Sequence, residues 1–262
     1  MVGMTLCSYY ISDYRKNMII TFNAALPKKR IPTFNDIIEY GRKPWGYEYV
    51  KKLGYNVISF MPIGKLNWYR NKAFHRYLEK LGKELARYPA QVYGYGGSMG
   101  GYGVSAFSEA LSMDKMLIMN PFSTLSRELV PEETRFVRKA EELNWGESYH
   151  DGAVTNVPGY IIYDPIFHLD NVQAKRYKSL RHFKLPGVGH RIPVHLQKLG
   201  MLGWISRSFF ETGTIDEKRF YEEARRRREY EGYYKWMKSE KNTHLTEKRR
   251  DVIEKYQREL IR

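Results

Sequence analysis

The sequence predicts an α/β fold: a mainly parallel sheet of about six strands with helices on both faces, followed by a C-terminal helical appendage. Three observations predict it. Short, nearly continuous apolar runs recur at 18–22, 56–60, 91–95, 115–119, 159–163 and 182–185, the mark of strands buried on both faces. Helix-forming stretches fall between them, at 33–53, 69–87, 100–111, 131–143 and 171–180. Gly-rich and Pro-Gly breaks punctuate the ends of the runs, where turn chemistry requires them.

After about Asp216 the character changes. Residues 220–241 are helix-forming and heavily charged, with Tyr230, Tyr233, Tyr234 and Met237 at i, i+3, i+4 and i+7. A second helix follows with Leu245, Val252, Ile253, Tyr256 and Leu260 on one face, and Asn242 and Thr243 supply turn and cap residues between the two. The expected organisation is therefore a domain over 1–215 and a charged two-helix appendage over 216–262.

Composition narrows the class. Of 262 residues, 42% are apolar, with 12 Phe, 22 Tyr and 5 Trp, enough for a sizeable core, so wholesale disorder is excluded. One cysteine, Cys7, can form neither an internal disulfide nor a Cys-rich zinc site, and is expected to be a small buried hydrophobe. No stretch approaches the 18 or so uninterrupted apolar residues of a membrane span, and the N-terminus has no basic and apolar leader pattern, so a cytoplasmic protein is expected. The net charge of +15 divides into +4 for residues 207–262 and +11 for the rest, so it is not a basic tail. No DNA or RNA recognition motif accompanies it, and nucleic acid is not the expected partner, whereas contact with an anionic surface is compatible with it.

The chemistry is carried by residues 91–111, QVYGYGGSMGGYGVSAFSEAL. A strand runs into Gly96-Gly97-Ser98-Met99-Gly100 and then into a helix of small and apolar residues. This is G-x-S-x-G in the context its mechanism demands: a serine on a sharp strand-to-helix turn, with glycines where there is no room for a Cβ, and a helix N-terminus below it. A nucleophilic serine needs a base and a group to orient that base, and in this arrangement they follow in the order Ser, Asp or Glu, His. Asp164 comes after the 159–163 run, and His190 lies in Gly187-Val188-Gly189-His190 after the 182–185 run. All three fall at the C-terminal edge of the sheet, where open α/β sheets bind ligands. The expected oxyanion donors are the backbone N–H groups of Met99, next to the nucleophile, and of Ala24, in the loop after the 18–22 strand.

Together, Ser98 in GGSMGGYG, Asp164 in YDP and His190 in GVGH resemble the α/β-hydrolase superfamily of serine hydrolases, over roughly residues 15–206. The SMGGYG run is similar to bacterial esterases and acyl-transfer relatives of the esterase D type. More loosely, YGGSMGGYG followed by NPFSTL resembles small bacterial α/β-hydrolases associated with surface-polysaccharide glycosyltransferases. The resemblance implies a Ser-His-acid triad, an acyl-enzyme and no cofactor. Two departures bear on substrate: there is no HGGG-type oxyanion motif after the first strand, and no long insertion between Asn120 and Pro158 to form a large lid. A small or solvent-exposed acyl ester is implied rather than a long lipid.

Alternatives stay open at several positions. Asp170, six residues beyond Asp164, is the other candidate acid, in which case Asp164 caps the turn at Asp-Pro. His195 is the rival base; His75, His150 and His244 read as surface residues. Trp68, Tyr69 and Arg70 follow the 56–60 strand on the same edge as the triad, where they would contact substrate as a stacking and anion-gripping group, or else serve packing. The Arg225–Arg228 run is embedded among glutamates and reads as a salt-bridged solvated face. No metal-ligand spacing occurs and no metal is expected. The expected function is a serine esterase or deacylase acting on O-acyl groups of a sugar or small metabolite, with acyl transfer on the same scaffold, or a binding protein with a decayed triad, as the other readings.

Overall fold

A computed structural model describes residues 1–27, 30–229, 231–238 and 246–261. Seven strands form one sheet: β1 (Thr5–Tyr10), β2 (Met18–Phe22), β3 (Asn56–Pro62), β4 (Val92–Gly97), β5 (Lys115–Met119), β6 (Gly159–Tyr163) and β7 (Leu180–Lys184). Their order is β1-β3-β2-β4-β5-β6-β7, and all neighbouring pairs are parallel except β1 with β3. Six strands match the apolar runs. The seventh, β1, was not expected: its TLCSYY sequence is partly exposed and set on the sheet edge, so it lacks the continuous apolar signature of its neighbours.

The helices are α1 (Phe34–Tyr40), α2 (Tyr47–Lys52), α3 (Lys72–Leu85), α4 (Met99–Ala106), α5 (Val137–Glu142), α6 (His168–Lys175), α7 (Ile192–Lys198), α8 (Met201–Thr212), α9 (Glu217–Ala224), α10 (Glu231–Met237) and α11 (Glu247–Ile261). The expected long helix over 33–53 is instead two short ones, because Gly41 closes α1 in a left-handed C-cap and Gly46 opens α2 in the same conformation. The continuous helix expected over 220–241 is likewise divided: α9 passes through a 3₁₀ turn over Arg225–Glu229 before α10. Leu245, Asn242, Thr243 and His244 lie outside the described residues, as does Tyr230.

Alternate residues of each central strand enter different cores, as the pleat dictates. Ile20, Ile58, Ile118 and Ile161 pack with Trp68, Tyr69, Phe74, Tyr102 and Phe107 on one face. Ile19, Val57, Leu117 and Ile162 pack with Phe209, Phe210, Phe220 and Tyr234 on the other. The second core thus includes side chains of the C-terminal helices, so Phe220, Ala224, Tyr233, Tyr234 and Met237 help complete one face of the sheet.

This topology positions the site. Chain connections leave β2 and β4, which are adjacent, toward opposite sides of the sheet: β2 leads to β3 and β4 leads to β5. Loops at such a reversal diverge and leave a crevice at the C-terminal edge of the strands. The loop after β2 and the turn carrying Ser98 border that crevice.

Candidate active site

Ser98 sits between β4 and α4 with φ 56° and ψ −126°, a conformation that costs a non-glycine residue on the order of 1–3 kcal/mol. Tight packing on both sides of the turn holds it there. A Cβ on Gly96 would stand 2.6 Å from the Gly100 carbonyl oxygen, and one on Gly100 would stand 2.2 Å from the Phe22 carbonyl oxygen. Each glycine is therefore required by a backbone passing over it, and the second contact brings the loop after β2 against the first turn of α4. The Ser98 N–H donates to the Met119 carbonyl at 3.0 Å, tying the turn to the end of β5.

His190 reaches the serine from the loop after β7. Its Nε2 lies 2.9 Å from Ser98 Oγ. Its Nδ1 lies 2.7 and 2.9 Å from the two oxygens of Asp170, whose carboxylate is fully buried in the first turn of α6. With the proton on Nδ1, the ring donates to Asp170 and Nε2 accepts from the Ser98 hydroxyl.

The acid expected at Asp164 is thereby corrected to Asp170. Asp164 faces the other way, accepting from the backbone N–H groups of Ile166, Gly187, Val188 and Gly189 at 2.6–3.0 Å. Burial pushes its carboxyl up, against the pull of those four donors. Asp164 thus shapes the loop that carries His190 and does not touch the imidazole.

Asp170 has a second partner that the sequence did not mark. Arg135 Nη1 donates to Asp170 Oδ1 at 2.7 Å, while its Nε and Nη2 hold Glu133 and its guanidinium lies 4.2 Å over the Phe122 ring. Arg135 Nη1 also lies 2.9 Å from His190 Nδ1; we read this as two donors converging on one carboxylate oxygen rather than as a bond between them. Burial raises the Glu133 carboxyl, and the bonds and charge of Arg135 overcome this, leaving it below its usual range. Gln173 completes the cluster by donating to Glu133 at 3.0 Å. Asn120, at the end of β5, lays its amide nitrogen 3.1–3.2 Å from both ring nitrogens of His190. Only its position at a strand's C-terminal end could have singled it out. No local pattern marks Arg135, whose partner Asp170 lies 35 residues away.

Of the expected oxyanion donors, Met99 opens α4 and its N–H has no intrahelical acceptor at that position. The Asn23–Ala24 peptide is held by its carbonyl, which accepts from the Tyr69 hydroxyl at 2.9 Å. In a trans peptide the N–H points opposite to the carbonyl, so this bond sets the direction of the Ala24 N–H.

The substrate-contact reading of Trp68, Tyr69 and Arg70 is corrected. Trp68 and Tyr69 are fully buried, Trp68 against Phe122, Phe136 and Trp145 and Tyr69 beneath the loop after β2. Arg70 spends its guanidinium on the carbonyls of Asn144, Glu147 and Ser148. These residues support the crevice from behind. What borders it is a cleft of about 460 Å³ lined by Leu26, Pro27, Leu66, Lys65, Arg135 and Phe136, among others.

Of two other histidines, His75 departs from the surface position expected of it, and His195, the rival base, is not the one that meets Ser98. His75 is buried, with its Nε2 2.8 Å from the Tyr69 carbonyl. His195 is buried on α7, and burial, with Lys198 and Arg191 nearby, lowers it to about 4.

The C-terminal helices reach this site. A Cβ on Gly189 would stand 1.9 Å from the Trp236 ring, and one on Gly187 would stand 2.3 Å from Met237 Sδ and 2.8 Å from the Tyr233 ring. The His190 loop is thus gripped by Asp164 on one side and by α10 on the other. Among the described residues no group of three or more His, Cys, Asp or Glu side chains is arranged to hold a metal ion, and no helix is long and apolar enough to cross a membrane.

No protein-family model matches the chain, and no curated protein does. Solved structures do. The capsule O-acetyltransferase of Neisseria meningitidis serogroup A aligns over 80% of this chain and 92% of its own, at 12% identity and a TM-score of 0.55. The glycosylation-associated Gap123 complex from Streptococcus agalactiae aligns over 78% of this chain and 44% of its own, at 14% identity and a TM-score of 0.53. At these identities the likeness is one of fold alone: the chain has an α/β-hydrolase-like fold.

Proposed function

We propose that this chain is a serine esterase or deacylase that works through an acyl-enzyme on Ser98. The observation that carries the reading is the continuous chain from Ser98 Oγ through His190 to the buried Asp170, at 2.9 and 2.7 Å. His190 takes the serine proton as Oγ attacks the acyl carbon, and Asp170 keeps the imidazole in the tautomer that can accept it. The N–H groups of Met99 and Ala24 receive the charge that develops on the carbonyl oxygen. As the bond to the leaving oxygen breaks, His190 returns its proton to that oxygen. Water, deprotonated by the same histidine, then releases the acid and restores Ser98.

The leading substrate class is an O-acyl group on a sugar or small metabolite. A cleft of about 460 Å³ beside Arg135 has room for such a body, and its lining combines Leu26, Leu66 and Phe136 with Lys65. Transfer of the acyl group to an acceptor other than water is the close variant, because the acyl-enzyme is common to both; the O-acetyltransferase among the fold neighbours supports it, another of its structures being a complex with CoA. The reading of a binding protein with a decayed triad requires Ser98 and His190 to stand apart, and 2.9 Å speaks against it.

The test is p-nitrophenyl acetate followed by intact-mass measurement after acid quench. Wild type is expected to release p-nitrophenol and carry one acetyl group, mapped by peptide digestion to Ser98, with both signals absent from Ser98→Ala and His190→Ala. Acetylation elsewhere, or equal release by the variants, would overturn the proposal.

A further inference from the structure

The Arg225–Arg228 run was expected to be a solvated, salt-bridged face, and one of its members is not. Arg226 pairs with Glu229 at 3.3 Å, as expected. Arg227 instead turns inward and is 91% buried, since only 9% of its surface is exposed. Among the described residues its contacts are the carbonyls of Pro186 and Ala224, at 3.1 and 2.7 Å, and the face of the Tyr233 ring. None is a carboxylate. A buried guanidinium met only by neutral groups carries a desolvation cost that an anion would offset.

That side chain lines a cleft of about 310 Å³ between the His190 loop and helices α10 and α11. Arg228 and Lys248, both exposed, join it, and among the described residues no acidic side chain lines it. Of the acids near by, Glu229 pairs with Arg226, Glu231 with Lys235 and Glu254 with Arg258, while Glu259 lies near Tyr234. Apart from Arg249, the rest of the wall is aromatic and apolar, including Tyr234, Val252, Ile253 and Tyr256. Arg228 already lies 5.3 Å over the Tyr256 ring, so charge and ring faces meet at one end of the cleft.

We infer that this cleft is a second ligand site, separate from the Ser98 crevice, for a soluble organic phosphate with a planar or apolar body. Arg227 meets the phosphate at the base, Arg228 and Lys248 meet it at the rim, and the tyrosines and Ile253 take the body. The volume suits a small metabolite and is too small for a folded partner.

The test uses 2′,3′-O-trinitrophenyl-AMP as fluorescent probe on the full chain carrying Ser98→Ala, so that binding is read without any activity at the serine. Saturable binding is expected, competed by AMP and weakened by added salt. Arg228→Glu and Lys248→Glu, at exposed positions, are each expected to weaken it about tenfold, and Arg227→Met at least as much, with unchanged circular dichroism. Binding that ignores all three substitutions would overturn the inference, as would binding seen only with vesicles of phosphatidylcholine containing phosphatidic acid. Because the probe is read in Ser98→Ala, loss of the esterase reading would leave this result standing.

Discussion

Two aspartates six residues apart divide the work at the residue scale. Asp170 holds the imidazole of His190, and Asp164 holds the backbone of its loop through three N–H groups while accepting a fourth bond from the nearby Ile166 N–H. The two substitutions should therefore separate. Asp170→Asn is expected to lower kcat by about 10³–10⁴ with a near-normal melting temperature, because an amide stabilises the wrong tautomer. Asp164→Asn is expected to cost on the order of 1–3 kcal/mol of stability, since an amide nitrogen would face backbone donors; thermal melting and ester turnover on both variants check this. The sequence pointed to Ser98 and His190 because their glycine-flanked turns are local patterns. It favoured Asp164 over Asp170 as the acid, because both aspartates follow the same strand and only the placement of the first turn of α6 decides which one meets the ring. Arg135 left no trace in the sequence for the same reason: its role is made entirely by distant contacts. Trp68 and Tyr69 misled for a different reason. They follow a strand on the correct edge, but each adopts a positive φ, 49° and 59°, that turns it into the core.

Elements, at the next scale, act as supports for single atoms. The loop after β2 is held by the Tyr69 hydroxyl, and its N–H direction follows. Tyr69→Phe removes that bond, with a longer 3.5 Å contact to the Phe60 carbonyl, and is expected to lower kcat roughly tenfold with little change in KM, at a stability cost of about 1 kcal/mol; steady-state kinetics with a melting curve would detect both. Helix α10 does the same for the His190 loop. Trp236→Ala opens a gap over Gly189, and acylation of Ser98 is expected to slow about tenfold while stability falls by about 1–2 kcal/mol. A variant that melts early and acylates at the wild-type rate would show that α10 is mere covering. The C-terminal helices were legible as helices from their 3.6-residue apolar spacing, but not as part of the site. Their division at the 3₁₀ turn was hidden, because Arg227 turns inward only when a carbonyl at Pro186 is there to receive it.

For the whole molecule, alternation of buried strand residues between two cores was readable in advance, since runs buried on both faces admit few other arrangements. The edge strand β1 was not, because its pairing with β3 is supplied by tertiary contact rather than by its own apolar pattern. The second core also carries a pH dependence. His195, among the residues around α7 and α8, has its value lowered by burial from 6.5 to about 4. The unfolded chain therefore takes up a proton that the folded chain refuses, so stability is full above about pH 6.5 and declines as pH falls toward 4. His75, lowered by burial as well, acts in the same direction. The expected loss from His195 is at most on the order of 3 kcal/mol. Denaturant melts at pH 7 and pH 5 should show a smaller difference in His195→Gln than in wild type, and an equal difference would remove His195 from this account.

The central claim, that Ser98 is activated by His190 under the hold of Asp170, is tested most directly by fluorophosphonate labelling at neutral pH of wild type, Ser98→Ala, Asp170→Asn and Asp164→Asn. Covalent capture reports an activated serine with no knowledge of the substrate. The account predicts rapid labelling of wild type, none of Ser98→Ala, labelling slowed by orders of magnitude in Asp170→Asn, and far milder slowing in folded Asp164→Asn. Folded wild type that takes no label, or Asp170→Asn that labels as fast as wild type, would contradict it.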